Sequence, residues 1–346
     1  MFQDIEIEEL LDLRSKKKLV FIDVRSPSEF ENATIPGSIN IPLFNDEERA
    51  EVGTIYTQQS VQLAKERGLE IASAKLPSFV KAFHEIDEEK VVFCWRGGMR
   101  SKTSATVLDL MGIHTYRIKG GFRAYRKWVV ETLDQFEIQQ PAYVLNGYTG
   151  SGKTIILRKL LKEGYPVLDF EGMANHRGSI FGQIGLQPHN QKAFDSILLE
   201  TLLPLQQAPY VLFEAESQRV GKVVLPHFIT DKKEQGTELF IEIPMEERIR
   251  NILEDYRPWE YQQQFIDVFE RIKNRIHTPI AADIHSDLLA GDFASAVGLL
   301  LEYYYDPRYE YTMNQYPENR RIHIKAKNTE EAFLKVQEFL QVKQNV

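Results

Sequence analysis

The chain contains a single cysteine, Cys94, and no run of apolar residues that approaches the roughly 18 needed to span a bilayer. One cysteine cannot form an internal disulfide. The N-terminal stretch MFQDIEIEELLDLRSKKK also lacks the basic-then-apolar pattern of a secretion signal. These absences argue against a membrane-spanning or disulfide-rich secreted protein, and we expect a reducing, cytoplasmic location.

Positive charge is scarce overall but is concentrated in one segment. The formal net charge is −8, and residues 1–93 carry 18 acidic against 11 basic side chains. Residues 94–127 carry eight basic side chains and one acidic one, and this segment begins at Cys94. A charge run is commonly a solvated face, but a local basic surface also lets an acidic protein contact phosphates. A shorter basic run lies at residues 320–327.

Length and hydrophobic pattern predict two α/β domains. A chain of 346 residues is longer than one hydrophobic core normally supports, and its composition is typical of a globular protein. Strand and helix patterns alternate up to a polar segment at residues 137–141 and restart after it, which favours parallel sheets. We therefore predict domains over residues 1–137 and 141–346, the second becoming mostly helical after Glu246.

The cysteine lies in a loop rich in glycine and arginine, FCWRGGMRS, between a predicted strand and a predicted helix. Such a loop directs backbone N–H groups at one spot beside a helix N-terminus, which favours a thiolate. A buried structural cysteine is the alternative, but the two glycines and two arginines favour a reactive thiolate with a donor fork for an oxyanion. We assign Cys94 and Arg100 as catalytic and, as phosphate-binding residues of this loop, Arg96, Gly97, Gly98 and Ser101.

A second glycine loop, GYTGSGKT, matches the phosphate-binding pattern G-x-x-x-x-G-K-[ST], also between a predicted strand and a predicted helix. Its amides would surround a di- or triphosphate, with a lysine on the terminal phosphates and a threonine on Mg²⁺ if a metal is present. The predicted phosphate-binding residues are Gly147, Gly150, Gly152, Lys153 and Thr154. The predicted fold class is α/β: a parallel-sheet domain, then a P-loop NTPase-like domain with a mostly helical C-terminal extension.

A P-loop enzyme also needs an acidic side chain at the end of a neighbouring strand. Glu214 follows the predicted strand YVLF, and Asp169 and Glu171 are rivals, although each could also be a solvated strand end. The segment DFEGMANHRGS is rich in polar and small residues at the carboxyl end of a parallel strand, where ligands bind. The candidate lining residues are Asp169, Glu171, His176, Arg177 and Glu214, and no metal is assigned.

The N-terminal half resembles the rhodanese family over about residues 5–135, with a polar insertion near residues 45–80. FIDVRSPSEFENATIPGSINIP is similar to the first signature of that family, VVFCWRGGMRS to its active-site loop, and Gly120-Gly121 before a Trp-bearing helix to its end. Sulfur-carrying rhodaneses usually have four residues between Cys and Arg, whereas five separate Cys94 from Arg100. Five is the spacing of cysteine phosphatases, which enclose a tetrahedral phosphoryl group.

The order of the rhodanese-like half, GYTGSGKT and DFEGMANHRGS resembles the tRNA 2-selenouridine synthase family over nearly the whole chain. The resemblance implies conversion of 2-thiouridine to 2-selenouridine at the wobble position of tRNA. It implies two substrates and no tightly bound cofactor: geranyl diphosphate alkylates the thiouridine sulfur, and selenophosphate then replaces the S-geranyl group. The P-loop would hold the diphosphate and the Cys94 loop the selenophosphate. Whether Cys94 accepts selenium or attacks phosphorus stays open.

The basic segment would contact the tRNA backbone and make binding salt-dependent. The candidate tRNA-binding residues lie around Gly120-Gly121: Arg117, Lys119, Arg123, Arg126 and Lys127. Two other functions fit the same motifs. One is a nucleotide-dependent kinase whose rhodanese-like domain delivers sulfur, and the other is a non-catalytic RNA-binding protein switched by a nucleotide. The sequence does not indicate the oligomeric state.

Overall fold

A computed structural model describes residues 2–308 and 316–344 of the chain. The chain forms two compact units, one of residues 1–135 and 195–199, and the other of residues 136–194 and 200–346. In the described part of the chain, no helix has both the length and the apolar character needed to cross a membrane.

The first unit contains a five-stranded parallel sheet with the strand order β1-β5-β4-β2-β3. Its strands are β1 (Gln3–Ile5), β2 (Leu19–Asp23), β3 (Ile39–Asn40), β4 (Glu89–Phe93) and β5 (Thr115–Ile118). Its helices are α1 (Ile7–Lys16), α2 (Pro27–Asn32), α3 (Asp46–Gln58), α4 (Val61–His84), α5 (Met99–Leu110) and α6 (Gly121–Asp134). The central strand β4 ends in three fully buried apolar residues, as expected for a parallel sheet covered on both faces.

Local sequence signals account for several boundaries in this unit. Helix α2 begins with a capping box, in which the Ser26 side chain accepts from the backbone of the third helical residue and Glu29 accepts from the Ser26 backbone. The polar insertion forms α3 and α4, which are joined by an ion pair between Glu48 and Lys75. The inserted segment is therefore ordered helical structure that packs on itself.

The second unit contains another five-stranded parallel sheet, with the order β12-β11-β6-β8-β7. Its strands are β6 (Ala142–Gly147), β7 (Val167–Leu168), β8 (Val211–Glu214), β11 (Thr237–Glu242) and β12 (Arg321–Lys325); β9 (Arg219–Val220) and β10 (Val223–Val224) form a separate antiparallel pair. Its helices are α7 (Lys153–Lys162), α8 (Phe170–Ala174), α9 (Gln191–Leu205, of which residues 195–199 are grouped with the first unit), α10 (His227–Gln235), α11 (Met245–Tyr256), α12 (Gln262–Glu270), α13 (Thr278–Ala290), α14 (Phe293–Leu300) and α15 (Thr329–Gln344).

Strand β7 ends at Leu168, and α8 begins two residues later at Phe170. The side chain of Asp169 accepts a hydrogen bond of 2.8 Å from the Gly172 N–H and so caps the helix, which ends the strand. The mostly helical extension comprises α11 to α14, packed around a core that includes Phe269 and Ile284. The predicted fold class is confirmed, since both units are parallel-sheet α/β structures.

Candidate functional site

Cys94 follows directly after β4, at the start of the loop that leads into α5. Its side chain is buried, with 3% of its surface exposed, and its Sγ lies 3.2 Å from the Ser101 hydroxyl oxygen. Ser101 is itself fully buried in the first turn of α5. The thiol and the hydroxyl predicted for this loop therefore face each other at the N-terminus of α5.

Glycines at two places shape the Cys94 loop. Gly97 has φ = +63°, and Gly121 has φ = +60°, a region that side chains rarely adopt. A Cβ on Gly121 would lie 2.2 Å from the Cys94 carbonyl oxygen, so only glycine allows the segment before α6 to lie against the loop. The Phe122 N–H donates to that same oxygen at 2.8 Å. The glycine pair at 120–121 thus allows the start of α6 to pack against the backbone of Cys94 and to bind its carbonyl oxygen.

Arg100 is paired with Glu29 of α2. Its Nη1 donates to one carboxylate oxygen and its Nη2 donates to the other at 3.2 Å. Burial opposes ionisation of Glu29, but the hydrogen bond and charge of Arg100, with the Ser26 N–H and the charge of Arg49, leave the pKa of this carboxyl below its usual value. The structure therefore places the guanidinium of Arg100 on a carboxylate that the sequence analysis did not single out, and its role toward an oxyanion stays a prediction.

A buried ion pair lies beneath the same loop. Asp23 and Arg25 are almost fully buried, and Arg25 Nη2 donates to the Asp23 carboxylate and to the Ala33 carbonyl, each at 2.6 Å. The guanidinium also lies 4.5 Å from the centre of the Phe122 ring. Because the Arg25 guanidinium is held by a carboxylate, a carbonyl and an aromatic ring, we interpret this pair as support for the loop.

Most of the predicted tRNA-binding cations are already ion-paired: Arg117 with Asp4, Lys119 with Glu6, Arg126 with Asp195, and Lys127 with Glu131. Arg117 also donates to the Gly97 carbonyl at 2.6 Å, so it supports the Cys94 loop from within the unit. Within the described residues, no carboxylate lies at ion-pair distance from the exposed side chains of Arg96, Lys102 and Arg123. These three cations around the loop are therefore the ones most available to a polyanion.

The second loop lies after β6, the middle strand of the second sheet. Gly150 and Gly152 have φ = +81° and +82°, and the loop ends at α7. Lys153 Nζ donates to the carbonyl of Gly147 at 2.8 Å and to that of Tyr148 at 3.2 Å. The strand, glycine loop and helix therefore occur in the order that a phosphate-binding loop requires, with the lysine amine curled over the loop.

Three glutamates gather beside the P-loop threonine. Thr154 Oγ1 donates to Glu171 at 2.8 Å and to Glu214 at 3.2 Å. The carboxylates of Glu171, Glu214 and Glu216 have oxygens within 4.8 Å of one another. Hydroxyl and carboxylate oxygens are the ligands that Mg²⁺ prefers, so this donor set fits a divalent cation next to the phosphate loop.

Burial of these acids raises their pKa values. The pKa of Glu171 is raised to about 8 by burial and by the charge of Glu216, an effect that Thr154 and Lys153 only partly offset. Burial and the charge of Glu171 raise the pKa of Glu214 well above its ordinary value, and burial also raises that of Glu216. Carboxyls with raised pKa values keep their protons to higher pH, and a bound cation would displace those protons.

The other predicted lining residues have different surroundings. Asp169 caps α8 and is ion-paired with Arg158. Arg177 donates to the Ile184 carbonyl. It also forms an ion pair with Asp255 near the end of α11, which links the DFEGMANHRGS segment to that helix. The structure therefore brings Glu171 and Glu214 to the P-loop, while Asp169 and Arg177 make contacts that hold the backbone.

His176 is packed between two glycines. A Cβ on Gly182 or on Gly221 would lie 2.7 Å or 2.6 Å from the imidazole ring, and the Gly178 N–H donates to its Nδ1 at 3.2 Å. Burial and the charge of Arg177 lower the pKa of His176. A neutral, enclosed imidazole that positions Gly178 beside Glu171 and Glu216 is consistent with a role in shaping the acid cluster.

Glu216 is the member of this cluster that the sequence analysis missed. It stands two residues after Glu214, in Glu-Ala-Glu at the end of β8. That spacing was the available signal, because alternate residues of an extended chain point to the same side. Lys233 of α10 donates to the Glu216 carbonyl at 2.8 Å, and its positive charge partly offsets the raised pKa of the Glu216 carboxyl.

Two side chains of helix α11 donate hydrogen bonds to backbone carbonyls of the P-loop. Arg248 Nε donates to the Thr149 carbonyl at 2.8 Å, and its two Nη groups bind Asp306 at 2.9 and 2.5 Å. Asn251 donates to the Gly150 carbonyl at 2.8 Å. Because Asp306 directly follows a π-helical turn at the end of α14, Arg248 connects the P-loop to the helical extension.

An apolar pocket begins at the P-loop and runs into the helical extension. The pocket is open to solvent, and the space between its walls, open solvent included, amounts to about 550 Å³. Its lining is Thr149, Ser179, Phe181, Ile252, Tyr256, Pro258, Phe265, Leu288, Phe293, Val297, Leu300, Leu301 and Tyr305. Thr149 belongs to the P-loop, the hydroxyl oxygens of Ser179 and Tyr256 lie 2.7 Å apart in the wall, and most of the other lining side chains are apolar. This arrangement suits a ligand with an anionic head and a hydrocarbon tail.

Two family profiles match the chain, in the same order as the two units. One is described as a rhodanese-like domain and matches residues 6–127, and the other as the tRNA 2-selenouridine synthase AAA domain and matches residues 140–282. Together they cover both loops and the acid cluster.

Three similar proteins are each named tRNA 2-selenouridine synthase. Those of Nitrosomonas europaea and Bdellovibrio bacteriovorus are 36% and 33% identical over 68% and 70% of this chain. The match spans just under two thirds of their own length, 63% and 65%. That of Sulfurovum sp. strain NBC37-1 is 31% identical over 91% of this chain and 94% of its own length.

Proposed function

Because the chain belongs to the tRNA 2-selenouridine synthase family, we propose that it converts 2-thiouridine to 2-selenouridine at the wobble position of tRNA. The observation that carries the proposal is the apolar pocket that begins at the P-loop, because a phosphate loop joined to a hydrocarbon-binding wall suits geranyl diphosphate. The loop that begins at Cys94 would take the second substrate, selenophosphate.

In the first proposed step, the sulfur of 2-thiouridine attacks C1 of geranyl diphosphate. An S–C bond forms, the C–O bond to the diphosphate breaks with its electron pair, and the N3 proton of the base goes to solvent. The P-loop amides and Lys153 stabilise the charge that develops on the leaving diphosphate. The pocket beyond Thr149 holds the geranyl chain and keeps water from the reacting carbon. Mg²⁺, if bound by Thr154 and the acid cluster, would supply further charge neutralisation.

In the second proposed step, selenium of selenophosphate attacks C2 of the modified base. A C–Se bond forms and the C–S bond breaks, so geranylthiol leaves after taking up a proton. The phosphoryl group left on selenium is then transferred to the Cys94 thiolate, breaking the P–Se bond, and water releases it as phosphate. A ring of seven residues from Cys94 to Arg100 has the spacing that encloses a tetrahedral phosphoryl group.

The proposed tRNA contacts are the exposed cations around this loop. Arg96, Lys102 and Arg123 lie on the loop, on the first turn of α5 and on the first turn of α6. Their contacts to phosphates would give salt-dependent binding without sequence reading. Because the proposed substrate is a tRNA, we propose that the reaction takes place in the cytoplasm.

Mass analysis of tRNA nucleosides tests the proposed function. The purified chain is incubated with thiolated tRNA and geranyl diphosphate, and then with selenophosphate. We expect S-geranyl-2-thiouridine after the first addition and 2-selenouridine after the second. Steady hydrolysis of ATP or GTP with neither nucleoside formed would instead favour the nucleotide-dependent kinase.

A further inference from the structure

A second guanidinium reaches the carboxylate that binds Arg100. Arg49 belongs to α3, within the insertion that departs from the rhodanese pattern, and its Nε lies 3.7 Å from Glu29 Oε2. The same oxygen accepts a hydrogen bond from Arg100 Nη1. Two arginines, 51 positions apart in the chain, therefore meet at one carboxylate oxygen beside the Cys94 loop.

The start of α3 is fixed in a way that points Arg49 toward Glu29. Asp46 accepts hydrogen bonds from the Ser28 N–H at 3.0 Å and from the Ser28 hydroxyl at 2.5 Å, which ties the first turn of α3 to α2. A Cβ on Gly53 would lie 2.4 Å from Arg49 Nη1. The guanidinium therefore lies along its own helix, in space that a larger residue at position 53 would take.

The side chains of Arg49, Arg100 and Glu29 together carry two positive charges and one negative charge. One carboxylate, that of Glu29, is shared by two guanidiniums, and in the described part of the chain no other carboxylate lies at ion-pair distance from Arg49. Arg49 is 43% exposed, so its outer N–H groups are open to a ligand. A guanidinium has five N–H donors, and Arg100 uses only its two Nη groups on Glu29. The cluster thus keeps one positive charge and several donors for an anion.

We propose that Arg49 is a second anion-binding residue of the Cys94 site, which acts with Arg100 on a tetrahedral oxyanion. Glu29 orients both guanidiniums and competes with the oxyanion for them. The inference rests on the proposed function in that selenophosphate is the oxyanion delivered in the second step. Inorganic phosphate shares the tetrahedral shape and charge of that substrate and serves as the probe.

Phosphate binding to the full-length chain tests the proposal. Lys153→Ala is included in every variant to disable the P-loop, and the dissociation constant of inorganic phosphate is measured by calorimetry at low salt. Arg49→Gln should weaken binding about fivefold, and Arg100→Gln at least as much, because each removes a charge-assisted donor. Arg49→Lys keeps the charge without the planar fork and should give an intermediate value.

Two variants separate anion binding from a merely structural role. Arg67→Gln is the matched control. The Arg67 side chain is 42% exposed, similar to that of Arg49, and it pairs with Glu51, which lies on α3 as Arg49 does. The Arg67→Gln variant should bind phosphate with the same affinity as the parent. Glu29→Gln should strengthen phosphate binding, since a competing negative charge is lost while an acceptor for the helix cap remains. Structural damage would change affinity in the opposite direction.

Three results would overturn the proposal: equal phosphate affinity in Arg49→Gln and the parent, equal losses in Arg49→Gln and Arg67→Gln, or no phosphate binding to the Lys153→Ala chain. None of these measurements uses tRNA or geranyl diphosphate. Failure of nucleoside conversion with the expected phosphate affinities would count against the proposed function alone.

Discussion

Thr154 Oγ1 donates a hydrogen bond of 2.8 Å to Glu171 Oε2, which links the last residue of the P-loop motif to a carboxyl that is only 8% exposed. The two residues are 17 positions apart and come from different elements, α7 and α8. Burial and nearby negative charge raise the pKa of Glu171 to about 8. At neutral pH this carboxyl is therefore mostly protonated, and a cation that bound Thr154 would have to displace its proton.

Stability should respond to pH through Glu171. Because its pKa in the folded chain lies above the ordinary value of 4.5, the folded state binds more protons than the unfolded state between these two values. This contribution to stability is complete below the lower value and is lost as the pH rises through about 8. From about pH 6 to about pH 8, the free energy of unfolding should fall by on the order of 2 kcal/mol more in the parent than in Glu171→Gln. Urea unfolding without divalent cations measures the difference, and parallel pH profiles would contradict it.

Divalent cation binding should release protons. Mg²⁺ needs ionised carboxylates, and the pKa values of Glu171 and Glu214 are raised, so Mg²⁺ affinity should increase from about pH 6 to about pH 8. Calorimetry in two buffers of different ionisation enthalpy counts the protons released. Glu214→Gln should reduce both the affinity and the proton release, whereas Glu338→Gln, on the exposed face of α15, should leave them unchanged. Mg²⁺ affinity that does not vary with pH would argue against a site at these acids.

The two loops should divide the reaction. Lys153→Ala should abolish geranylation, because the leaving diphosphate loses its cation, and it should leave selenation of an already geranylated tRNA largely intact. Cys94→Ser should show the reverse pattern. Each half-reaction is followed by mass analysis of the tRNA nucleosides. Loss of both half-reactions in both variants would show that one site performs the whole sequence.

The apolar pocket should set the affinity for the geranyl chain. Val297 lines the pocket from α14, and Val297→Trp should fill part of it and raise the KM for geranyl diphosphate by about tenfold. Ala294 is exposed on the same helix, so Ala294→Trp is the matched control and should leave KM unchanged. Selenation of geranylated tRNA should proceed normally in both. An unchanged KM in Val297→Trp would show that the geranyl group binds outside this pocket.

Affinity for tRNA should depend on the exposed cations that have no carboxylate at ion-pair distance among the residues that the structure describes. Changing Arg96, Lys102 and Arg123 to Gln should weaken tRNA binding at low salt and flatten the slope of log affinity against log salt by about two units. The control changes Lys16, Lys17 and Lys18 to Gln; it removes the same charge from side chains paired with Asp12, Glu89 and Glu88. Filter binding across a salt series measures both slopes, and equal slopes would exclude this surface.

Both glycine loops could be predicted from the sequence because their chemistry is local. A strand, a loop with glycines at fixed positions and a helix N-terminus are contiguous in the chain, so Cys94 with Ser101 and Lys153 with Thr154 follow from spacing alone. The helix start at Ser26 is likewise a signal of four residues. The alternation of such units also predicted the α/β fold class, which is confirmed.

Only the tertiary structure decided which distant groups surround these loops. Arg100 lies 71 positions from Glu29, and Arg49 reaches the same carboxylate from a helix inserted between strands. The apolar pocket combines side chains from four helices with one edge of the P-loop, and apolar periodicity shows that a helix has a buried face without showing what that face encloses. Contacts between residues far apart in sequence depend on how the helices pack on each sheet, and no local pattern carries that information.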